Sequence, residues 1–213
     1  MIKRFVCLAN SKKEGGRCLA GIELDNRSKP INEARQPKWI RPICKTQHGE
    51  VPEYLVRHIG LLDVVEIDTT DNPEKKGFQT ENVFFRIKSI NVIGQFRAAE
   101  IASLCSGERL IFGNSGKTLS EQEIADLSYS LVLIKTDKFD VRQAVFEGKY
   151  RLRLVFTHCG NEYDLPVTDV AFIIQYKANP GCLADVHGLF LILSLGIKFN
   201  DLYYKLVAGI IPG

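Results

Sequence analysis

The sequence lacks the cysteine spacing by which small domains commonly bind a structural metal. No C-x-x-C pair occurs among the six cysteines, which are Cys7, Cys18, Cys44, Cys105, Cys159 and Cys182. Zinc sites usually take ligand pairs from one turn of chain, so we expect neither a metal nor a cofactor. The cysteines are predicted to be reduced, buried, small hydrophobic residues.

Long hydrophobic runs are also missing. The most apolar stretch, residues 188–196, is too short to cross a bilayer as a helix. The first residues, Met1 to Phe5, are followed by Asn, Ser and Lys rather than by the apolar centre of a signal peptide. We therefore expect a cytoplasmic protein with no membrane segment.

A complete phosphate-binding loop is absent, although residues 110–123 (LIFGNSGKTLSEQE) resemble one. A Walker A motif needs glycine, four residues, and then Gly-Lys-Ser/Thr. Before Gly116-Lys117-Thr118 the position of the first glycine is held by Ile111. We interpret the stretch as a tight turn before a helix whose capping box runs from Ser120 to Glu123.

No catalytic constellation stands out either. The four histidines are far apart in sequence, and none lies in an H-E-x-x-H setting. His158 and Cys159 are adjacent, and alternation along a strand predicts that their side chains point to opposite faces. Cys182 and His187 could meet in a loop, but we favour the simpler interpretation of a loop histidine and a core cysteine. We predict that the chain is not an enzyme.

Charge is distributed unevenly along the chain. Residues 1–50 hold eleven Lys and Arg against five Asp and Glu, whereas the rest hold seventeen against twenty. The whole chain has a formal net charge of +3. A basic first quarter suggests a face that attracts phosphates, but on charge alone the favoured interpretation is a solvated surface with a few extra lysines.

The hydrophobic pattern predicts a mainly β fold with minor α, in two OB-like small barrels joined by a short helical connector. The predicted parts are a first β unit at 1–90, a connector at 91–128 and a second β unit at 129–213. Each β part holds about five short strands, the number in an OB barrel. The predicted strands are 3–9, 17–24, 39–43, 61–67, 82–88, 131–134, 149–157, 161–166, 170–176, 188–195 and 203–211, with helices at 96–105 and 120–127.

The first candidate binding surface lies on the predicted opening hairpin and the strand after it. Its predicted turn, residues 10–16, contains two glycines that could form an anion-binding nest. The only tryptophan and Arg41 share one face of strand 39–43, which suits stacking on a base beside a phosphate. A core tryptophan with Arg41 at its rim is the competing interpretation, and on the residues alone it is the favoured one. The predicted binding residues here are Lys3, Arg4, Asn10, Ser11, Lys12, Lys13, Gly16, Arg17, Lys38, Trp39 and Arg41.

The second candidate surface interleaves aromatic and cationic residues between positions 197 and 205. OB barrels bind single strands with such mixtures, although half of these side chains must face the core if the segment is a strand. The predicted binding residues here are Lys198, Tyr203 and Lys205.

Several motifs resemble the bacterial dual-OB domain family over nearly the whole chain. They are FVCLANSK at 5–12, GGRCLAG at 15–21, WIRP at 39–42, LLDVVE at 61–66, FQTEN at 78–82, LSLG at 193–196 and YKLVA at 204–208. The resemblance implies two OB-like units. It also implies a nucleic-acid-binding module of prokaryotic proteins, some of them linked to conflict with mobile elements. It supplies no catalytic residues.

The leading hypothesis is thus a non-enzymatic module that binds single-stranded nucleic acid, DNA or RNA, through the basic and aromatic face of the first unit. A protein-interaction or assembly module with a protein partner is one alternative, because fold does not fix function. A sensor that holds a small phosphorylated ligand at Gly15-Gly16 is the other.

Overall fold

The computed structural model describes residues 1–70, 77–146 and 148–213. The chain forms two compact units, Met1–Leu104 (unit 1) and Cys105–Gly213 (unit 2). Strands hold 50% of the residues and helices 15%, which confirms the predicted mainly β fold with minor α. Within the described ranges, no helix is long and apolar enough to cross a membrane.

Unit 1 is built on a six-stranded sheet with the order β7-β5-β2-β1-β6-β8. All neighbours are antiparallel except β5 and β7, which are parallel. Its elements are β1 (Ile2–Lys13), β2 (Gly16–Leu24), β3 (Asn32–Glu33), β4 (Gln36–Pro37), β5 (Trp39–Ile43), α1 (Glu53–Val56), β6 (Asp63–Asp68), β7 (Asn82–Phe84) and β8 (Asn91–Gln95).

The opening hairpin is longer than the sequence pattern predicts. β1 continues to Lys13, so the predicted turn at 10–16 is wrong, and only Glu14 and Gly15 lie between the strands. Gly15 has a φ of 69°, a conformation that residues with a side chain rarely adopt. The polar residues from Asn10 onward stay in the strand because their backbone pairs in register with β2 as far as Lys13 opposite Gly16.

The core of unit 1 collects apolar residues from β1, β2, β5, β6 and β7 together with α1 and the residues after it. Its fully buried members include Phe5, Leu19, Val51 and Val65. Burial of one such side chain contributes about 1.5–3 kcal/mol, so this layer fixes the alternation of every strand that crosses it. Side chains on the other face of β5 are thereby directed away from this core.

Unit 2 contains a four-stranded sheet with the order β10-β14-β15-β9 and a three-stranded sheet with the order β11-β12-β13. Adjacent strands are antiparallel in both sheets. The elements are β9 (Thr118–Leu119), α2 (Glu121–Ile124), β10 (Leu131–Thr136), β11 (Phe139–Phe146), β12 (Lys149–His158), β13 (Asn161–Pro166), α3 (Val170–Ala178), β14 (Leu189–Phe199) and β15 (Leu202–Pro212).

One predicted strand of unit 2 is a helix. Residues 170–176 have the β-branched and aromatic composition of a strand, but they form α3. Asp169 decides the outcome, because its Oδ1 accepts a hydrogen bond from the Phe172 N–H at 3.1 Å and caps the helix. Its Oδ2 accepts from the Ile210 N–H at 2.9 Å, which ties the helix start to β15. Capping and tertiary contact override the strand propensity.

The range 91–128, predicted as a helical connector, contributes one strand to the sheet of unit 1 and one strand to the four-stranded sheet of unit 2. β8 pairs with β6 in unit 1, and β9 pairs with β15 in unit 2. The predicted helix at 96–105 is a 3₁₀ helix at Ala98–Leu104. The predicted capping box of α2 is confirmed: the Ser120 side chain accepts from the Glu123 N–H, and the Glu123 carboxylate accepts from the Ser120 N–H.

Candidate nucleic-acid interface

Five of the predicted cationic binding residues in unit 1 are paired with carboxylates, and Lys3, Arg4 and Lys38 are three of them. Glu23 contacts the ammonium groups of Lys3 at 3.0 Å and Lys38 at 3.5 Å. Glu66 contacts the Arg4 guanidinium at 2.9 Å. A cavity of about 490 Å³ beside them is lined by both signs of charge. These cations therefore add little net positive field at the surface.

Arg17 and Asn10 connect the hairpin to α1. Arg17 is buried, with its Nη2 2.5 Å from a Glu53 carboxylate oxygen and its Nη1 donating to the Asn10 carbonyl at 3.4 Å. The Asn10 Nδ2 donates to the carbonyls of Val56 at 2.7 Å and Ile59 at 2.9 Å. The structure thus places both predicted binding residues in contacts that hold α1 against the hairpin.

Ser11 and Gly16 also lie in positions that packing explains. Ser11 is buried in β1. A Cβ added at Gly16 would lie 2.6 Å from the Val51 carbonyl oxygen, so close packing requires glycine there. Lys12 is exposed, and strand alternation places it on the face of β1 opposite to Lys13. The hairpin cations are therefore not gathered on one side.

Arg41 is inside unit 1 rather than at its surface. Its side chain is 2% exposed, and its Nη2 lies 3.0 Å from the Glu81 carboxylate, which is 4% exposed. Its backbone N–H donates to the Glu81 carbonyl at 2.9 Å, and its Nη1 lies 3.5 Å from the Asn82 Oδ1. This buried pair joins β5 to the start of β7. Arg41 therefore does not present its guanidinium to a phosphate, as we had expected, but makes a structural contact with Glu81.

Trp39 lies on a sheet face with a second aromatic ring. Trp39, Arg41 and Ile43 alternate onto the face of β5 that points away from the core, and Phe84 of β7 lies opposite Ile43. Trp39, Ile43 and Phe84 are half-buried. The exposed Lys45 places its Nζ 5.4 Å from the centre of the Phe84 ring, within cation–π range. We call Trp39, Arg41, Ile43, Lys45, Asn82 and Phe84 the β5–β7 face.

Lys13 lies beside this face. Burial lowers the pKa of Lys13, and the nearby Arg41 guanidinium lowers it too, while Cys18 and Glu50 act in the opposite direction. In β2, Cys18 alternates onto the same side as Ile22, which pairs with Trp39. Lys13 therefore lies near Arg41 and, by strand alternation, on the face of Trp39, whereas Lys12 and Arg17 alternate onto the other face.

The second predicted surface is divided between an acidic contact and the interior of unit 2. The Lys198 ammonium lies 2.8 Å from the Glu121 carboxylate and 3.5 Å from that of Asp201. The Tyr203 hydroxyl donates to Glu121 at 3.3 Å. Phe199 is 63% exposed at the end of this hairpin, so one aromatic side chain remains open to solvent. Charge at this end is largely neutralised.

Lys205 is fully buried, so it is not available to a ligand. Its ammonium donates to the Ile111 carbonyl at 2.6 Å and to both oxygens of Asn114 at 2.7 Å. The turn that it holds contains Phe112 with a φ of 51°, an unfavourable conformation for an aromatic residue. Lys205 therefore stabilises a strained turn, at the place where sequence similarity to a phosphate-binding loop was strongest.

We expect Lys205→Met to lower the free energy of unfolding by about 2–3 kcal/mol, because buried carbonyl oxygens lose their donor. Burial lowers the pKa of Lys205 from 10.5 to about 8. Between those values the unfolded chain binds more protons, so stability from this group rises with pH. Urea unfolding of both proteins should show a larger loss at pH 9.5 than at pH 7. A loss that shrinks with pH contradicts the assignment.

His158 and Cys159 are closer than strand alternation predicts. The Cys159 sulfur lies 3.7 Å from the His158 Nε2, because Cys159 has left the strand with a φ of 48°. The expectation that their side chains point apart is therefore wrong. The same Nε2 lies 2.7 Å from the Glu108 carbonyl oxygen, an acceptor to which it must donate its hydrogen. In this state His158 cannot take a proton from Cys159 through Nε2.

Comparison with known families places the chain. The model of the dual OB-containing domain matches residues 3–210. The chain belongs to this family. No curated protein matches the sequence. A crystal structure of the tetrameric p202 HIN2 aligns with 100% of this chain and 92% of that chain, at 8% identity and a TM-score of 0.32.

Two residues of the β5–β7 face of this dual OB-containing domain were not predicted from the sequence. Lys45 lies just beyond β5, and Phe84 comes from β7, nearly forty residues later in the chain. The residues of the WIRP and FQTEN motifs meet in the Arg41–Glu81 pair. That pairing shows β7 beside β5, and strand alternation then places Phe84 on the face of Trp39.

Proposed function

We propose that this OB-type module binds single-stranded nucleic acid without catalysing a reaction, and that the β5–β7 face of unit 1 is the contact surface. One observation carries the proposal: the half-buried rings of Trp39 and Phe84 lie on one sheet face, with the Lys45 ammonium 5.4 Å from the Phe84 ring. Bases stack on such rings whatever their identity, because every base has a π face.

Positive charge supports the same surface. Lys45 is exposed at one end of the β5–β7 face, and Lys13 lies beside the buried Arg41. Arg41 itself acts by position, because its pair with Glu81 fixes the backbone between Trp39 and Ile43. Cations beside stacking rings meet the phosphates of a strand whose bases occupy the rings. Binding through such contacts weakens as salt rises.

The only tryptophan of the chain gives a direct test. We expect titration with a single-stranded oligonucleotide to quench the emission of Trp39, because a stacked base changes the surroundings of the indole. The apparent affinity should fall by at least tenfold between 50 and 200 mM salt, on the order expected for a few phosphate contacts. An oligonucleotide that binds by fluorescence polarisation and leaves the emission unchanged would remove Trp39 from the interface.

Charge variants test the surface independently. We expect Lys13→Gln with Lys45→Gln to weaken oligonucleotide binding by about tenfold and to reduce the salt dependence. The matched control is Arg27→Gln with Lys29→Gln, which removes two exposed charges from another part of unit 1. The control should bind within about twofold of the unaltered protein. Equal losses in both proteins would show a diffuse electrostatic effect rather than a site.

A protein-interaction role is favoured by one separate observation. In the described part of the unit 1 sheet, β8 is an edge strand, and all five of its residues are exposed. Val92 and Ile93 are 39% and 48% exposed. Such an edge accepts an added strand from a partner peptide. This role would be supported if the protein captures a partner protein from a nuclease-treated extract and the Ile93→Lys variant no longer captures it.

A further inference from the structure

We infer that the outer side of α1, together with Lys12 of β1, forms a second contact surface for the single strand. The inference rests on the proposed function and extends the path of the strand around the end of the β1–β2 hairpin, to the face opposite the β5–β7 face. We call Lys12, Tyr54 and Arg57 the α1 surface. The sequence analysis predicted Lys12 as a binding residue and assigned Tyr54 and Arg57 to no site.

Hydrogen bonds between the hairpin and α1 place this helix beside Lys12. Asn10 and Lys12 alternate onto the same face of β1, and the Asn10 Nδ2 donates to the Val56 carbonyl at the end of α1 at 2.7 Å. From β2, the Arg17 Nη2 lies 2.5 Å from the carboxylate of Glu53 at the start of α1. Both ends of α1 are therefore fixed against the hairpin.

Tyr54 and Arg57 lie on the solvent-facing side of α1. The Arg57 N–H donates to the Glu53 carbonyl at 2.8 Å, which closes one helical turn. Residues three and four apart are neighbours on such a turn, so Arg57 lies next to both Tyr54 and Glu53. Val56 is buried, whereas Tyr54 is 69% exposed and Arg57 is also exposed. An aromatic ring and a guanidinium group are thus open to solvent side by side.

Positive charge is in excess at the α1 surface. Lys12 lies directly opposite Arg17 in the hairpin, and like charges so placed destabilise a sheet. The Arg17 guanidinium lowers the pKa of Glu53 through a hydrogen bond and through its charge. The charges of Arg57 and Lys12 act in the same direction, so three cations act on one carboxylate. Among the residues that the structure describes, neither Lys12 nor Arg57 has a carboxylate within ion-pair distance. Both cations are therefore available to an anion.

The path from the β5–β7 face to the α1 surface crosses one short turn. Lys12 and Lys13 are successive residues that alternate onto opposite faces of β1, and only Glu14 and Gly15 separate β1 from β2. A Cβ at Gly15 would meet nothing within 4 Å, so the backbone of the turn is open. A strand that passes Lys13 therefore reaches Lys12 after crossing this turn. The exposed Glu14 opposes a phosphate on the path.

The α1 surface fits a nucleic-acid strand better than an acidic peptide. The Arg57 guanidinium can bind a phosphate through two parallel N–H donors, and Lys12 adds a second positive charge. The exposed ring of Tyr54 offers a face to any base. An acidic peptide would occupy the two cations and leave the ring without a stacking partner. We therefore expect one stacked base between two neutralised phosphates.

The test is fluorescence polarisation of the whole chain with a labelled thirty-nucleotide single strand. We expect Lys12→Gln with Arg57→Gln to weaken binding by about tenfold at low salt and to reduce the slope of log affinity against log salt by about 1.4. Tyr54→Ala should weaken binding by at least about fivefold and leave that slope unchanged, because stacking neutralises no phosphate. Glu14→Gln should strengthen binding by about threefold, because it removes a like charge from the path.

Two control variants remove equivalent groups elsewhere. Arg27→Gln with Lys29→Gln deletes two exposed charges, and Phe199→Ala deletes an aromatic side chain that is 63% exposed. Both controls should bind within about twofold of the unaltered protein. Thermal unfolding of all these variants should match the unaltered protein, because every substituted side chain is exposed and the Arg17 contact with Glu53 is retained.

The outcomes separate this inference from the proposed function. If all variants of the α1 surface bind like the controls while Lys13→Gln with Lys45→Gln is impaired, the inference fails and the proposed function stands. If the unaltered protein binds no single strand at low salt, the proposed function fails and the inference falls with it. If the variants of the α1 surface lose binding of a polyglutamate peptide and keep the single strand, the surface takes an acidic peptide and the inference is overturned.

Discussion

Gly21→Ala is expected to lower the free energy of unfolding by about 3–5 kcal/mol, the range of the most severe single substitutions. A Cβ at this position would lie 1.8 Å from the Val6 carbonyl oxygen and 2.9 Å from the Phe5 ring. Gly21 pairs with Cys7 on one side and Ile40 on the other, so neither neighbouring strand can move away cheaply. Urea unfolding followed by circular dichroism measures the loss.

The physical cause is close approach of the backbone rather than an unusual dihedral angle. Gly21 lies in the middle of the sheet, next to the irregularity in β1 where Cys7 pairs with Gly21 and Ala9 pairs with Ala20. Leu8 is the additional residue at this bulge and is fully buried. A bulge bends its strand and increases the local twist, which brings the β1 backbone over the Gly21 Cα.

Gly94→Ala is the matched control for this prediction. Gly94 lies in β8 of the same sheet, and a Cβ there would meet nothing within 4 Å. Its stability should change by no more than about 0.5 kcal/mol, because only backbone entropy and exposed surface are altered. Similar losses at both positions would show that the substitution acts through strand propensity, and the steric explanation would be wrong.

The second large effect is expected at the buried ion pair of unit 1. Arg41→Met should destabilise the protein by about 3–5 kcal/mol, because it leaves the Glu81 carboxylate buried without its cation. Both side chains are almost wholly enclosed, at 2% and 4% exposure. Methionine fills a similar volume, so the loss reports the charge rather than a cavity. Thermal and urea unfolding at pH 7 provide the measurement.

A double-variant cycle separates the pair from its surroundings. Arg41→Met with Glu81→Leu should be less destabilising than the sum of the single substitutions, since neither charge is then left alone. Arg86→Met is the exposed control: this guanidinium is 71% exposed and lies 2.9 Å from Asp68. It should cost no more than about 1 kcal/mol. Additive losses in the cycle would contradict direct coupling between Arg41 and Glu81.

Much of the strand content was predictable because local pattern and tertiary burial agree. Strands 39–43 and 161–166 coincide with β5 and β13. The α2 cap was also predictable, because a capping box involves residues only three apart. The fold class follows from these short strands and turns. Failures occurred where a distant residue decides the outcome, as at α3, whose cap also bonds to Ile210 on β15.

The candidate site was harder to predict from the sequence, because the type of a charged residue does not determine whether its side chain is exposed. Lys45 and Lys205 are the same residue type, yet one is at the surface near an aromatic ring and the other is fully buried. Arg41 and Arg151 likewise differ in exposure, although both alternate with apolar neighbours along a strand. Local composition describes both members of each pair equally well.

The order of residues specified a mainly β chain of the dual-OB type, because strand alternation, turn glycines and helix caps involve residues a few positions apart. The roles of its cations followed from contacts between distant segments. Arg41 forms a buried ion pair with Glu81, and the buried Lys205 donates hydrogen bonds to the carbonyls of Ile111 and Asn114. Strand pairing places Arg142 opposite Arg153. A cation becomes structural or available according to the carboxylates and carbonyls that folding places around it.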